Sequence, residues 1–479
     1  MIQLGGLASG LDTNAIIQAI LGVERVPINA LQADKRGEEG KLSLIGTIKG
    51  LVSSLRDKAS DLSTSSGFLS YSVTSSDDAA ASFSVTGAPQ TGNHTLVVNQ
   101  LATADRYTFT DSVTDPDAVL GTADGQQITF DVNDTSYSLS IDQADSSLND
   151  IRDAINDLAG DDVTASVINT GTSGSPQYQL VLAGDDTGED AEISNLTSAI
   201  GGMTTVLQLT DASNAQIEID GLTVERSTNV FDDVLDGLSF TAQVADSVAT
   251  IAFGADVDDD GIKTKIQGFV DSYNEVIDFI NDQNTFTEED GVGGALFGDS
   301  ILRNVKSTIS NALFDVDIDK VVADSAGFST LSLVGIDLDS KGKLSINSAT
   351  FDAKLAEDPE AFADLFVDDD GFDNTGAANN TAAFFTDTTT DDGVFDNLFR
   401  SIDQIVDDLV LQDGSSVKGL FDVRTESIND AIERINDRIT VLQDRLVDTE
   451  ASLVARFASL ESIITGLNAQ GSALSSLQL

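Results

Sequence analysis

The feature that most constrains this chain is a long apolar seam near its C-terminus. Apolar residues recur there in alternating steps of four and three, the spacing of a helix that packs along another helix. No Pro or Gly interrupts 420–465, so the pattern predicts one helix whose 428–467 part spans about 60 Å. The seam consists of Ile428, Ile432, Ile435, Ile439, Leu442, Leu446, Leu453, Phe457, Leu460, Ile464 and Leu467.

The seam changes register once. Joining its two halves requires Thr449, which gives steps of three, four and four from Leu446 to Phe457. Such a stutter locally unwinds a left-handed supercoil. A helix of this length cannot bury its seam on itself, so it needs partner helices from the N-terminus, from another subunit, or from both. The seam residues are therefore candidate self-assembly contacts.

The N-terminus carries a matching apolar helix in "GLASGLDTNAIIQAI" (6–20). Asp12 or Thr13 can cap it, and an apolar stripe follows at Ile16, Ile17, Ile20 and Leu21. An apolar stripe at the end of a chain is expected to be covered, here by the C-terminal helix and by neighbouring subunits. The candidate contact residues are Leu7, Leu11, Ile16 and Ile20.

A second heptad pattern occupies 42–62, with apolar residues in steps of three and four. It fits an intramolecular core and an intersubunit contact equally well. The pattern consists of Ile45, Ile48, Val52, Leu55, Ala59 and Leu62.

The middle of the chain has the texture of β-strands. Stretches such as "ASFSVTG" and "HTLVVNQLA" alternate polar and apolar residues, and "QQITFDVNDTSYSLSI" predicts a hairpin turning near Asn133-Asp134. A helix capped by Ser146 or Ser147 interrupts the strands in "SSLNDIRDAINDLAG". Helical patterns return after Gly261, and a polar, acidic loop is predicted at 368–393.

These segments predict a multidomain α+β protein with long α-helical coiled-coil legs formed by both termini and β-rich head domains inserted between them. The predicted domains are a terminal leg (1–35 with 428–479), a helical body (36–70 with 254–427), a β-rich head (71–115 with 208–253) and an inserted α+β head (116–207).

Net charge and composition exclude several classes of partner and of chemistry. The 479-residue chain carries 80 Asp and Glu against 25 Lys and Arg, a net charge of -55. Such a surface repels nucleic acids and anionic membranes, so neither partner is predicted. The sequence contains no cysteine, which excludes disulfides and thiol catalysis. No apolar run is long enough for membrane insertion, and the N-terminus lacks the pattern of a secretory signal peptide.

Three motifs carry part of the signature of a chemical site. His94 is the only histidine, and no G-x-S-x-G accompanies it, which disfavours a catalytic triad. "DTG" at 186–188 has charged neighbours and is more typical of a turn. The segment 256–267 matches an EF-hand loop at positions one, three, five and six but ends in Gln267 instead of Glu. The sequence therefore predicts no enzyme, no cofactor and no metal site, with 256–267 the one open question.

Several segments, in order along the chain, resemble one family. "GLASGLDTNAIIQAILGVERVPINALQ", "IEIDGLTVERSTNVFDDVLDGLSFTA", "LVGIDLDSKGKLSIN" and "RITVLQDRLVDTEASLVARFASLESIITGLNAQGSAL" are similar to segments of the bacterial flagellar filament cap proteins, also called hook-associated protein 2. The resemblance covers nearly the whole chain. This chain departs from the family pattern in its strongly negative net charge and in its long acidic stretch 368–393.

The resemblance implies a ring-like homo-oligomer, usually a pentamer, at the distal tip of the flagellar filament. Such a cap promotes folding and insertion of exported flagellin and prevents its leakage. It implies secretion by type III export, contacts with flagellin and with hook–filament junction proteins, and a cytoplasmic export chaperone that binds the C-terminus. The alternative is a flagellum-associated surface adhesin or another axial structural protein of the hook–filament junction.

Overall fold

The computed structural model describes residues 10–287, 292–314, 328–368, 375–378, 381, 393–410 and 415–476. They form two compact units. Unit 1 contains the residues up to Phe68 and those from Asp259 onward, and unit 2 is Leu69–Asp258. Among the residues in these ranges, no helix is both long and apolar enough to cross a membrane.

Unit 1 is mainly helical. Its helices are α1 (Thr13–Glu24), α2 (Val26–Asp61), α3 (Ser65–Phe68), α5 (Asp259–Asn284), α6 (Ser300–Phe314), α7 (Ser348–Glu357), α8 (Pro359–Asp364), α9 (Val394–Val406) and α10 (Leu420–Ser476). Short hairpins join them, formed by β16 (Phe286–Thr287) with β17 (Val292–Gly293), β18 (Ile336–Leu338) with β19 (Leu344–Ile346), and β20 (Leu409–Val410) with β21 (Ser416–Val417).

The N-terminal helices form where the sequence predicts them. Asp12 caps α1, because its Oδ1 accepts a hydrogen bond from the backbone N–H of Ala15 at 2.9 Å. The chain breaks between α1 and α2 at Arg25, where Pro27 enters the first turn of α2. Proline lacks the N–H that a continuing helix would use, so it favours the start of a new helix there.

The heptad residues of 42–62 belong to an intramolecular core. All six are buried, five on α2 and Leu62 directly after it, and α2 packs against α5, α9 and α10. Phenylalanines extend this core. The ring centroid of Phe366 lies 5.0 Å from those of Phe68 and Phe395, and the rings of Phe269 and Phe395 meet edge-on with centroids 4.5 Å apart. Of the two alternatives for 42–62, an intramolecular core and an intersubunit contact, the structure therefore shows the intramolecular core.

The first part of unit 2 is a β-structure of two sheets around one core. The five-stranded sheet has the order β1-β15-β3-β11-β12 and the three-stranded sheet the order β13-β14-β2. Phe231 and Phe240 from the second sheet pack with Leu96 and Phe253 from the first. The strands are β1 (Tyr71–Ser75), β2 (Ala81–Val85), β3 (Gly92–Gln100), β11 (Ala215–Ile219), β12 (Leu222–Arg226), β13 (Val230–Leu235), β14 (Leu238–Ala242) and β15 (Asp246–Val257).

The second part of unit 2 packs one helix and two sheets around a separate core. Helix α4 (Leu148–Ala159) begins at Ser147, which forms a capping box with Asp150. The sheets have the orders β10-β4-β8-β7 and β6-β5-β9. Their strands are β4 (Arg106–Phe109), β5 (Gln126–Val132), β6 (Thr135–Ile141), β7 (Val163–Asn169), β8 (Tyr178–Gly184), β9 (Ser194–Ser198) and β10 (Val206–Thr210).

The architecture confirms the predicted fold class: helical ends, a β-rich middle and a long C-terminal helix. The element boundaries differ from the predicted domain limits at several points. The limits after 35, 207, 253 and 427 fall inside α2, β10, β15 and α10, which continue through them. Strand β4 pairs with β8 and β10, so Phe109 packs in the core assigned to 116–207. Most of the predicted loop 368–393 lies outside the described residues.

Candidate self-assembly surface

Helix α10 runs antiparallel to the N-terminal helices. Near its start, Asp422 accepts a hydrogen bond from Lys49 Nζ at 2.9 Å. Helix α10 also contacts α1, which ends 25 residues before Lys49, about 37 Å away along the helix. An antiparallel arrangement of α10 and the N-terminal helices accounts for both contacts.

Ion pairs connect the helices around the first turns of α10. Arg424 donates to Asp299 Oδ2 at 2.6 Å through Nη2, which ties α10 to the start of α6. Arg56 on α2 donates to Asp403 at 3.1 Å and to Asp407 at 3.0 Å. Burial raises the pKa of Asp403, and the nearby Asp407 carboxylate adds to the rise while Arg56 opposes it.

The C-terminal seam is buried at its beginning and open at its end. Ile428 is 1% exposed and Ile439 9%, whereas Leu460 is 43% and Leu467 60% exposed. The members between and beside these are half-buried, namely Ile432, Ile435, Leu442, Leu446, Leu453, Phe457 and Ile464. The seam is therefore covered within the single chain near the start of α10 and more exposed toward its end.

The N-terminal candidates separate into two faces of α1. Thr13, Ile17 and Leu21 are buried against the unit, one helical turn apart. The predicted contacts lie beside them: Ile16 is half-buried, and Ile20 is 38% exposed. Leu11, just before the helix, is 49% exposed. Leu7 lies outside the described residues.

Sequence reasoning missed a second set of exposed apolar residues on the same helices. These are Val23 at 70%, Val441 at 65%, Val447 at 64% and Ile463 at 62% exposed. They fall outside the four-three spacing, which selects one stripe only. In the sequence, the only sign of these residues is that they are apolar positions of the two helices outside the predicted stripes.

His94, the "DTG" turn and the EF-hand-like segment occupy ordinary structural positions. His94 Nδ1 lies 2.6 Å from Asp220 Oδ2 at the β11–β12 turn, and this hydrogen bond lowers the pKa of Asp220. Thr187 of "DTG" donates through its hydroxyl to the carbonyl of Ser227 in a loop. From Asp259 onward, the EF-hand-like segment is helix α5, which cannot wrap around a cation as a loop does. Across the described ranges, no group of three or more His, Asp or Glu is placed to hold a metal ion.

Two protein-family models match this chain. Residues 9–105 match the model of the flagellar hook-associated protein 2 N-terminus, and residues 212–469 match that of its C-terminus. The second match alone covers more than half of the chain.

Individual relatives carry the same description. The flagellar hook-associated protein 2 of Aeromonas caviae is 30% identical over 400 residues, covering 78% of this chain and 83% of the relative. That of Escherichia coli K12 is 26% identical over 76% of this chain and 80% of its own length. The crystal structure of the D1-D2-D3 domains of the flagellar cap protein FliD from Escherichia coli matches with a TM-score of 0.63 and 24% identity. It covers 81% of this chain and 99% of that one.

Proposed function

Because the chain belongs to the flagellar hook-associated protein 2 family, we propose that it caps the distal end of a flagellar filament as a ring of identical subunits. In this role it promotes the folding and insertion of exported flagellin and prevents flagellin from leaking away. The observation that carries the proposal is the apolar seam of α10, which is exposed toward its C-terminal end, at Leu460 and Leu467.

The proposed partners follow from that seam. A long amphipathic helix with an exposed apolar stripe binds other helices by coiled-coil packing. In a cap, those helices belong to neighbouring subunits, to flagellin or, before the filament grows, to hook–filament junction proteins. We also assign the binding of an export chaperone to the C-terminal part of α10, and five subunits to the ring. Export through the flagellar type III channel places the protein outside the cell, at the filament tip.

A complementation experiment tests the function. A strain lacking the gene should form no filaments and should release flagellin monomer into the medium, and a plasmid copy of the gene should restore filaments. Filaments are counted by electron microscopy and released flagellin is measured by immunoblot. A strain with normal filaments and lost adhesion would contradict the cap and support the adhesin. Filaments that form but detach from the hook would support a junction protein.

A further inference from the structure

Helix α10 carries most of its positive charges along one side of the apolar seam. The helix contains nine Asp and Glu and five Arg, and it has no Lys. Four of the five arginines directly precede a seam residue, and none of the eleven residues in that position is acidic. These four residues form the arginine border: Arg434, Arg438, Arg445 and Arg456.

The arginine border is one continuous face of the helix. Successive members are four, seven and eleven residues apart. These steps correspond to about one, two and three turns, so the four side chains leave α10 within an arc of about 40° and extend over about 33 Å. Val441 and Ile463 also directly precede seam residues, and they are 65% and 62% exposed. The face therefore combines guanidinium groups with exposed aliphatic side chains.

The border arginines are not used in ion pairs within the described chain. All four are exposed, and none lies within 4.0 Å of a carboxylate of the residues that the structure describes. The fifth arginine of the helix, Arg424, in contrast pairs with Asp299 at 2.6 Å. In a chain with 80 Asp and Glu, this border is a positive surface that remains available to another molecule.

The position of the border beside the seam indicates what it recognises. In a coiled coil, charged residues beside the apolar seam pair with opposite charges of the partner helix and determine which partner binds and in which orientation. Arginine suits this task, because its planar guanidinium binds a carboxylate through two hydrogen bonds.

We infer that the arginine border determines the specificity of α10 by selecting a partner helix with Asp or Glu along one side of its own apolar stripe. This inference rests on the proposed function, in which α10 binds helices of other proteins of the filament, and it names the charge that those helices carry. A second copy of α10 fits less well. From Ile435 onward, the other side of the seam has only two carboxylates, Glu450 and Glu461, against four arginines.

Two synthetic helices of about 28 residues, or four heptads, test the selection with the full-length protein. Both have the same Leu and Ile stripe, and the residues beside it are Glu in one peptide and Lys in the other. Like charges keep each peptide from pairing with itself. In fluorescence anisotropy at low salt, the wild-type protein should bind the Glu peptide at least about tenfold more tightly than the Lys peptide. Near-molar sodium chloride should reduce this difference, because it screens exposed charges.

Charge reversal on the border should reverse the preference. Arg438→Glu combined with Arg445→Glu should bind the Lys peptide more tightly than the Glu peptide. The matched control, Lys58→Glu combined with Arg303→Glu, makes the same charge change at exposed positions of α2 and α6 and should keep the wild-type preference. Circular dichroism verifies that both variants keep their helix content.

The wild-type measurement alone can overturn the inference. Equal binding of the two peptides, or no binding of the Glu peptide, would do so without any variant. Weaker self-association of the border variant with unchanged peptide binding would place a second copy on the border and would also overturn it. Normal filaments in a strain that lacks the gene would instead contradict the proposed cap.

Discussion

At the scale of single residues, Tyr273 shows how one buried polar group links two elements of unit 1. The side chain is 1% exposed on α5, and its hydroxyl donates to the carbonyl of Gly342 in the β18–β19 hairpin at 3.0 Å. The next residue, Asn274, both donates to and accepts from the backbone of Leu344. Burial raises the pKa of Tyr273 to about 12. Helix α5 therefore holds the hairpin through hydrogen bonds as well as apolar contacts.

The raised pKa of Tyr273 predicts an alkaline loss of stability. The unfolded chain releases the phenolic proton near pH 10, whereas the folded unit keeps it up to about 12. The stability contributed by Tyr273 is therefore complete below pH 10 and falls as the pH rises from 10 to 12. Tyr273→Phe should flatten this part of the profile, measured by urea unfolding at each pH. At pH 7 the variant should lose about 1 kcal/mol with the hydrogen bond. Parallel profiles above pH 10 would contradict the assignment.

At the scale of elements, the sequence predicted what local patterns determine. Helix α4 begins at Ser147 because the cap and the apolar period lie within one short stretch. The hairpin at Asn133-Asp134 turns as expected, and both residues adopt positive φ angles of 50° and 60°. Helix α10 follows from its spacing and its lack of early breakers.

Contacts between distant segments were beyond local patterns. Strand β4 joins the core of the second part of unit 2 because it pairs with β8, which lies more than 70 residues later in the chain. Its own alternation is equally consistent with either region. For the same reason, periodicity predicted the apolar stripe at Ile16, Ile17, Ile20 and Leu21. It could not predict which side of the stripe would be buried. Only the packing separates the buried Ile17 from the exposed Ile20.

The seam of α10 predicts a single sensitive site at Phe457. This residue follows the stutter and is half-buried in the single chain. Truncating or charging an aromatic buried at an interface typically costs about 3–5 kcal/mol. Phe457→Asp should therefore abolish oligomer formation and filament growth, while unit 2 keeps its wild-type melting temperature. Electron microscopy, sedimentation and circular dichroism measure the three effects.

The control for Phe457→Asp is its neighbour on the helix. Ala458→Asp adds the same charge at an exposed position off the seam and should leave assembly intact. Normal filaments with Phe457→Asp, or unfolding of unit 2, would refute the division into an assembly helix and a separate head.

At the scale of the whole molecule, unit 2 has the features of an independently folding domain. Its two ends meet: Tyr71 pairs with Val257 in one sheet, and the N–H of Asp258 donates to the carbonyl of Ser70 at 2.8 Å. Its two cores lie entirely within it. A fragment spanning 69–258 should therefore express as a folded monomer with a cooperative thermal transition, measured by calorimetry and near-ultraviolet circular dichroism. A fragment spanning 116–207 should unfold, because it lacks β4 and most of β10. A stable, cooperative 116–207 fragment would contradict the observed strand pairing.

The net charge of -55 makes the behaviour of the whole protein depend on salt. Self-repulsion destabilises a compact acidic chain and opposes the approach of further copies, and dissolved ions screen both effects over about 3 Å at 1 M. The melting temperature and the oligomeric fraction should therefore both rise between low and near-molar sodium chloride. Potassium chloride at equal ionic strength should act alike, since screening depends on ionic strength. Sucrose at matched osmolality is the control without charge. Unchanged melting and assembly across this range would mean that local pairs, such as Arg424 with Asp299, already neutralise the charges that matter.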